Sequence, residues 1–452
     1  MLADRFARYA ERLRYEDLPT HVVHETKRRF IDSFATAVGA MDSDAFSIAK
    51  RCAGRVSSQP GASLLGGGRS SVEWATFVNG LLIRYLDFND TYLSLEPAHP
   101  SDNLSAVLSV GESVGASGQD LITAAVIAYE IQCRLCDAAS LRKYGFDHVT
   151  YGAISSTVAA CKLMTLSVAQ TTHAIGLAGV ANVALRQTRA GEMSMWKGCA
   201  FANAARNGVF AATLAAEGMT GPAPIFEGEL GLMPLVLRAE FTVAPMGGED
   251  GGQDFMLPKT YIKFWPVEYH AQSAVDAALQ LRPAVGDWRR IKSVDVHTFD
   301  AAVDIIGKDP EKYRPKTRET ADHSLPYCVA VALAEGDVGL RSFDDEHLAN
   351  RDLLALTQKV QLYLDPSCND RYPKGIPNRL TITLDDQKQF VKEIEFPRGH
   401  AENPMTDAEV EQKFRAVVEP VYGKDRAAKV LELCWTLDKL RDASELVKSL
   451  DE

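Results

Sequence analysis

The stretch LTITLDDQKQFVKEIEF, residues 380–396, interrupts a sequence that otherwise reads mostly as helices. Apolar and polar residues alternate on both sides of its polar turn, and this pattern predicts a β-hairpin. Residues 360–364 alternate in the same way, whereas residues 291–296 alternate imperfectly. The sequence therefore predicts an α+β region as well as helices.

Helical patterns lie on both sides of this α+β region. The first 240 residues or so have apolar residues at helical spacing. They include stretches crowded with small residues, such as GAISSTVAACKLM (152–164) and AFANAARNGVFAATLAAEG (200–218). A glycine-rich polar connector, APMGGEDGGQDFM, follows at 244–256, and the helical period returns at 406–450.

These patterns predict a mainly α fold. A chain of 452 residues is too long for one ordinary core, so at least two domains are expected. The simplest arrangement is a large all-helical domain built from both chain ends, with a smaller α+β domain inserted between them. We place the first helical part at residues 1–258, the α+β domain at 259–398 and the helical return at 399–452.

Composition and charge narrow the classes of function. The chain carries 49 Lys and Arg against 60 Asp and Glu, a formal net charge of −11, and no basic stripe that would bind nucleic acid. No run approaches the roughly 20 apolar residues of a membrane span, and the N-terminus lacks the pattern of a signal peptide. Eight sparse cysteines argue against a disulfide framework, so we expect a cytoplasmic protein.

The densest polar constellation is RYLDFNDTYLSLEPAHPSDN, residues 84–103. It places Asp87, Asn89 and Thr91 a few residues before His99, which lies in a proline-flanked loop. A carboxylate near an imidazole can fix its tautomer and raise its basicity, as a general acid or base requires. The alternative is that the polar residues only cap a turn and His99 lies on a surface loop.

Two more candidates stand at the starts of small-residue helices. His148, in FDHVT, precedes the helical stretch at 152–164, where the helix dipole favours a neutral imidazole that can act as a base. Lys197, in MWKG, opens the stretch at 200–218, and a buried lysine usually pairs with an anion of the protein or of a ligand. The structural alternatives are a histidine bonded in a packed loop and a lysine that snorkels at a helix end.

Further charged residues cluster where the helical region gives way to the α+β region. LPKTYIKFWPVEYHAQ carries Lys263 and His270, and RPKTRETADHSLPY carries Arg318 and Tyr327. Small-molecule clefts often form at domain junctions. The alternative is that these groups only form salt bridges between domains.

Motifs for the common cofactors are missing from the sequence. It contains no P-loop, no framed dinucleotide fingerprint and no H-E-x-x-H zinc motif. Cys133 and Cys136 form a C-x-x-C inside a helical pattern, which we interpret as structural. We therefore expect no metal and no cofactor, and a site rich in His, Asp, Lys and Arg that performs acid–base chemistry on a small anionic substrate.

Several long motifs, in this order, resemble the MmgE/PrpD family: DFNDTY with HPSDN, WKG with ANAARNG, LPKTYIKFWPVEYHAQSAVDAA, and RPKTRETADHSLPY. The resemblance covers essentially the whole chain. It implies an all-helical domain with an α+β lid, a homodimer, and an active site in the cleft between domains. The family includes 2-methylcitrate dehydratase, cis-aconitate decarboxylase and iminodisuccinate epimerase.

The resemblance implies a cofactor-free hydro-lyase that removes water from a small hydroxylated di- or tricarboxylate such as 2-methylcitrate. It carries the family's functional positions onto Asp87, Thr91, His99, His148, Lys197, Lys263 and Tyr327. The residues that we expect to be catalytic are Asp87, His99, His148, Lys197 and Tyr327. Those that we expect to bind substrate are Asn89, Thr91, Lys263, His270 and Arg318.

Other activities stay open at this point. Asn89 stands where the decarboxylase branch commonly has aspartate, and Gln272 where that branch tends to carry histidine. The same residues could instead invert a stereocentre, or protonate the carbon left after loss of carbon dioxide, so an epimerase or a decarboxylase is the alternative. A non-catalytic paralogue that acts as a binding subunit is a further alternative, as is an iron–sulfur hydro-lyase, which would contain iron.

Overall fold

The protein is mainly α, as the sequence predicts, in a computed structural model that describes residues 1–450. The α-helices are α1 Leu2–Arg12, α2 Thr20–Gly39, α3 Asp44–Ala53, α4 Val72–Arg84, α5 Leu104–Val114, α6 Gly118–Ala138, α7 Val149–Leu163, α8 Val168–Ala181, α9 Trp196–Ala216, α10 Gln272–Val285, α11 Asp300–Ile306, α12 Arg318–Ala321, α13 Leu325–Glu335, α14 Asp345–Leu348, α15 Arg351–Thr357, α16 Pro366–Asn369, α17 Asp407–Tyr422, α18 Lys424–Trp435 and α19 Ser444–Lys448. The strands are β1 Gly61–Ser63, β2 Arg69–Ser71, β3 Ile291–Thr298, β4 Val360–Leu364, β5 Asn378–Leu384 and β6 Gln389–Ile394. Within residues 1–450, none of the helices combines the length and apolarity of a membrane crossing.

The chain divides into two compact units. The helical unit comprises Met1–Thr188, Gly198–Thr260 and the chain from Thr406 on. The α+β unit comprises Arg189–Lys197 and Tyr261–Met405. The helical unit is therefore assembled from segments that are far apart in the sequence.

Small residues let the inner helices of the helical unit approach closely. Gly152 of α7 lies against the ring of Phe201 on α9, and a Cβ at position 152 would stand 2.3 Å from a ring carbon. Gly208 of α9 approaches the carbonyl of Ala153 in the same way. A larger side chain at either glycine would force the helices apart, because packed cores tolerate little added volume.

Helix α17, the first helix of the segment that begins at Thr406, anchors a distant loop of the same unit. Its Lys413 ammonium lies 2.6 Å from the carboxylate of Asp32 on α2 and donates a 2.8 Å hydrogen bond to the carbonyl of Phe88. Both charged side chains are buried, so each needs the other as a partner. The chain segment that follows α4 is thereby tied to a helix made more than 300 residues later.

The α+β unit contains a four-stranded sheet in the order β4-β3-β5-β6. Strands β3 and β4 are parallel, and the other two pairs are antiparallel. Strands β5 and β6 confirm the hairpin predicted at 380–396. The register of β3 shifts between Ile291 and Ser293, which explains the imperfect alternation of that segment. Helix α10 packs against β5 and β6.

Candidate active site

The first polar cluster lies in the helical unit, at the end of α4. Arg84 ends this helix and is 1% exposed. Its guanidinium forms a close ion pair with Asp87 and lies 3.7 Å from the carboxylate of Asp102. Asp87 has a φ of 51°, a left-handed conformation that costs free energy outside glycine and clusters at functional sites. The buried guanidinium of Arg84 therefore lies next to two buried carboxylates, those of Asp87 and Asp102.

The tautomer of His99 follows from its two hydrogen-bond partners. Nδ1 lies 2.8 Å from the carbonyl oxygen of Asp90, and Nε2 lies 3.0 Å from Nη2 of Arg84. A carbonyl only accepts and a guanidinium only donates, so Nδ1 carries the proton and Nε2 has the lone pair. The carboxylate of Asp87 lies 3.8 Å from the same Nε2. His99 is thus a neutral imidazole, the form that a general base requires.

His148 lies beside His99. It occupies the position just before α7, and the centroids of the two imidazole rings are 5.7 Å apart. Its Nε2 lies 3.6 Å from the carboxylate of Asp147, and both residues are buried. The Asp147 carboxylate stabilises the protonated form of this imidazole and opposes the helix N-terminus, which favours the neutral form. The two imidazoles are therefore close neighbours, each with a carboxylate nearby.

Asn89 and Thr91 bond to the loop that carries His99. The Asn89 amide donates to Ser101 Oγ at 2.8 Å and to the carboxylate of Asp102 at 2.7 Å. The Thr91 hydroxyl donates to the carbonyl of Ala98 at 3.0 Å. Both side chains hold this loop in place, and their predicted contact with substrate stays a prediction.

The second polar cluster lies in the α+β unit, around Lys197. Its Nζ is 3.4 Å from Nδ1 of His323 and 3.7 Å from the carboxylate of Asp322, and the side chain is fully buried. Asp322 and His323 contact each other at 2.5 Å. The lysine thus pairs with an anion of the protein, one of the partners that its position in the sequence predicts.

Positive charge also collects around Glu268 in the α+β unit. Its carboxylate lies 2.8 Å from Nδ1 of His270, whose Nε2 is 3.2 Å from the hydroxyl of Tyr372. Burial alone would raise the pKa of Glu268, but His270, His323 and the fully buried Lys263 outweigh it and lower the pKa to about 2. Glu268 therefore stays ionised at any physiological pH.

Gln272 secures the segment that follows Lys263. Its amide nitrogen donates to the carbonyls of Trp265 and Val267 at 2.7 and 3.2 Å. Its amide oxygen accepts from the backbone nitrogen of Trp265 at 3.3 Å. Both the amide nitrogen and the amide oxygen of Gln272 thus form hydrogen bonds with the backbone.

Arg318 and Tyr327 both contact the segment that contains Phe343. The Tyr327 hydroxyl donates to the carbonyl of Ser342 at 2.9 Å, and burial raises the pKa of this phenol. The Arg318 guanidinium donates to the carbonyl of Leu340 at 3.0 Å and lies 5.6 Å from the centroid of the Phe343 ring. Their predicted roles toward substrate stay predictions.

Each cluster suits one kind of chemistry. The helical-unit cluster combines two imidazoles with carboxylates and a guanidinium, and this set can take up and release protons. The α+β cluster gathers buried ammonium and imidazole groups, which suit a small anion such as a carboxylate. Among the described residues, no three His, Cys, Asp or Glu side chains are grouped so that they could hold a metal ion.

Sequence reasoning missed Arg84 and Asp102, although both lie inside the quoted run 84–103. One signal was available for Arg84, because it ends the apolar helical stretch LLIR and stands three residues before Asp87. No comparable signal joined His323 to Lys197, since 126 residues separate them along the chain.

Comparison with known proteins gives consistent matches along the chain. The family model described as the MmgE/PrpD N-terminal domain matches residues 4–243, and the C-terminal domain model matches residues 265–437. The 2-methylcitrate dehydratase of Escherichia coli K12 is 28% identical over 392 residues, 81% of this chain and 79% of that protein. That of Cupriavidus necator is 30% identical, over 72% and 70%. An alkylcitrate dehydratase of a fungus is 32% identical, over 76% and 72%.

Proposed function

The chain belongs to the MmgE/PrpD family, and from this premise we propose that it is a hydro-lyase acting on a small hydroxylated di- or tricarboxylate such as 2-methylcitrate. The dehydratase names of relatives that are 28–32% identical support the reaction class. The observation that carries the proposal is the pair of imidazoles, His99 with a defined lone pair and His148 beside a carboxylate.

The proposed reaction is an elimination in which two protons move. Nε2 of His99 takes the proton from the carbon next to a substrate carboxylate, after its hydrogen bond from Arg84 opens. The electron pair of that C–H bond forms the double bond, and the C–O bond of the neighbouring hydroxyl breaks. His148, protonated beside Asp147, gives its proton to the departing hydroxyl, which leaves as water. Asp87 balances the charge of Arg84 and orients this arrangement.

Buried cations would stabilise the negative charge that develops on the substrate carboxylate. Lys197 and Lys263 are our candidates for this role, with Arg318 as a third. A well-placed donor of this kind contributes on the order of a few kcal/mol to the transition state. Asn89, Thr91, His270 and Tyr327 are proposed to position the substrate.

The test is an ultraviolet assay of the purified protein with 2-methylcitrate and citrate stereoisomers. A hydro-lyase produces a conjugated alkene, whose absorbance should rise even after treatment of the protein with a chelator. A rise that chelation abolishes would contradict the metal-independent mechanism. No rise with any of these substrates, but proton–deuterium exchange on related polycarboxylates, would instead favour the epimerase or the decarboxylase.

Two further proposals concern the state of the protein. We propose a reducing, cytoplasmic location, because all eight cysteines are free thiols and seven of them are buried. We also propose a homodimer, which rests on the family resemblance alone. Sedimentation of the purified protein under reducing conditions tests the second proposal, and a monomer at micromolar concentration would contradict it.

A further inference from the structure

The two histidines of the helical unit are carried by separate loops. The His99 loop, residues 91–99, is closed on itself by two backbone hydrogen bonds between Tyr92 and Ala98, at 2.8 and 2.9 Å. The His148 loop, residues 139–148, connects α6 to α7. The distance between the imidazoles therefore depends on what holds one loop to the other.

The buried side chain of Glu96 joins these two loops. Its Oε2 accepts a 3.0 Å hydrogen bond from the Ser140 hydroxyl and a 2.9 Å bond from the backbone nitrogen of Arg142. Its own backbone nitrogen donates to the carbonyl of Cys136, in the last turn of α6. One residue near the tip of the His99 loop thus binds both the start of the His148 loop and the helix before it.

Burial of the Glu96 carboxylate costs free energy of folding. Glu96 is 1% exposed, and a buried carboxylate loses solvation that only hydrogen bonds and opposite charge restore. Burial raises the pKa of Glu96 to about 7, against the opposing effects of Arg142, Ser140 and Arg186. An apolar residue would fill this space with a lower desolvation cost. We infer that the position requires an acceptor oxygen for the hydrogen bonds from Ser140 and Arg142.

We propose that Glu96 is a positioning residue that sets the separation and orientation of the His99 and His148 imidazoles by joining their loops. The inference rests on the proposed function, in which both imidazoles act on one substrate. Glu96 touches neither imidazole, and it acts through the two loops. Loss of its acceptor oxygen misplaces both rings, and misplacement of about 1 Å costs on the order of 10²-fold in rate.

Kinetics of a small set of variants give the first test. Glu96→Ala should lower kcat by about 10²-fold with little change in KM, and Glu96→Gln, which keeps an acceptor oxygen, should recover most of the rate. Ser140→Ala removes one of the two bonds with little risk to folding and should give a smaller loss in the same direction. In a His148→Asn background, Glu96→Ala should cause a smaller further loss than in the wild type, because the part of its effect that passes through His148 is already gone.

Glu112 provides the matched control. Its carboxylate also accepts from a backbone nitrogen and a serine hydroxyl, both of Ser63, at 2.7 and 2.8 Å, and its side chain is 4% exposed. It lies on α5 and joins no histidine loop. Glu112→Ala should therefore lower stability and leave kcat unchanged. An equal loss of kcat in this variant would overturn the positioning role, since the loss would then reflect stability alone.

Histidine-labelled protein gives a readout that needs no activity. His99→Asn and His148→Asn assign the two ring signals by nuclear magnetic resonance. Glu96→Ala should shift both signals and weaken the nuclear Overhauser effect between the rings, whereas Glu112→Ala should leave them unchanged. Unchanged ring signals in Glu96→Ala would refute the inference even if the protein proves to be a dehydratase. Shifted signals in a protein without dehydratase activity would support the loop contact and refute only the proposed function.

Discussion

At the scale of single residues, Arg84 and the carbonyl of Asp90 set the tautomer of His99. The guanidinium faces two carboxylates, and its hydrogen bond keeps the imidazole in the form with a lone pair on Nε2. His99→Asn should lower kcat by about 10²-fold or more and change KM little, because the proton acceptor is lost. Kinetics with 2-methylcitrate measure this.

His24 provides a control for this substitution. It is partly exposed, and its Nε2 also lies near a carboxylate, that of Asp407 at 3.1 Å. His24→Asn should leave kcat unchanged. A near wild-type kcat for folded His99→Asn would remove His99 from the mechanism.

Lys197 should affect substrate binding as well as rate. Lys197→Met removes a buried cation that we propose to contact a substrate carboxylate in both the ground state and the transition state, so KM should rise and kcat should fall. The exposed Lys308, which pairs with Asp304, gives the control Lys308→Met. Circular dichroism confirms folding in both. An unchanged KM in Lys197→Met would show that this lysine only pairs with Asp322.

The sequence suggests the candidate residues of the site but not the contacts between them. His99 and His148 stand out because each has polar or helix-terminal surroundings that can be read locally. Their proximity, with ring centroids 5.7 Å apart, depends on how α4 and α7 pack and has no local pattern. Arg84 was missed for a related reason, since an arginine at a helix end is usually a solvated side chain.

At the scale of secondary-structure elements, α17 is expected to stabilise the loop that follows α4. Lys413→Met leaves the Asp32 carboxylate buried without its cation, and the free energy of unfolding should fall by about 3–5 kcal/mol. Urea denaturation measures this. Addition of Asp32→Asn should recover part of the loss, because it removes the uncompensated charge.

Lys429 on α18 serves as the control for this pair. It is exposed, and Lys429→Met should change stability by no more than about 0.5 kcal/mol. A loss in Lys413→Met as small as this would contradict the anchoring role of α17.

Strands could be predicted from the sequence where apolar and polar residues alternate without interruption. The hairpin of β5 and β6 has clear alternation and lies where predicted, because β5 alternates buried with partly buried residues over most of its length and β6 alternates exposed with partly buried ones. The two-stranded sheet of β1 and β2 was not predicted, since strands of three residues are too short for a period to show. Strand β3 alternates poorly because a change of register adds a residue on one side.

At the scale of the whole molecule, Glu96 should make stability depend on pH. Its pKa is raised from 4.5 to about 7, so the folded state holds this proton more tightly than the unfolded state. The contribution is fully present below pH 4.5 and is lost as the pH rises through about 7. A difference of about 2.5 between the two pKa values corresponds to about 3 kcal/mol.

Comparison with Glu96→Gln isolates this contribution. Between pH 4.5 and pH 8, the free energy of unfolding of the wild type should fall by about 3 kcal/mol more than that of the variant. Urea denaturation across this range measures both. Parallel curves for the two proteins would show that Glu96 has an ordinary pKa in the folded state.

The bond from Lys413 to Phe88 also has a consequence during synthesis. The two residues are 325 positions apart, which a ribosome covers in roughly 15–65 seconds at about 5–20 residues per second. For that interval the nascent chain carries the His99 segment with the anchor still unmade, and Asp32 waits for its cation. The helical unit is thus among the first parts translated and among the last to become complete, because the α+β segment emerges before its final helices.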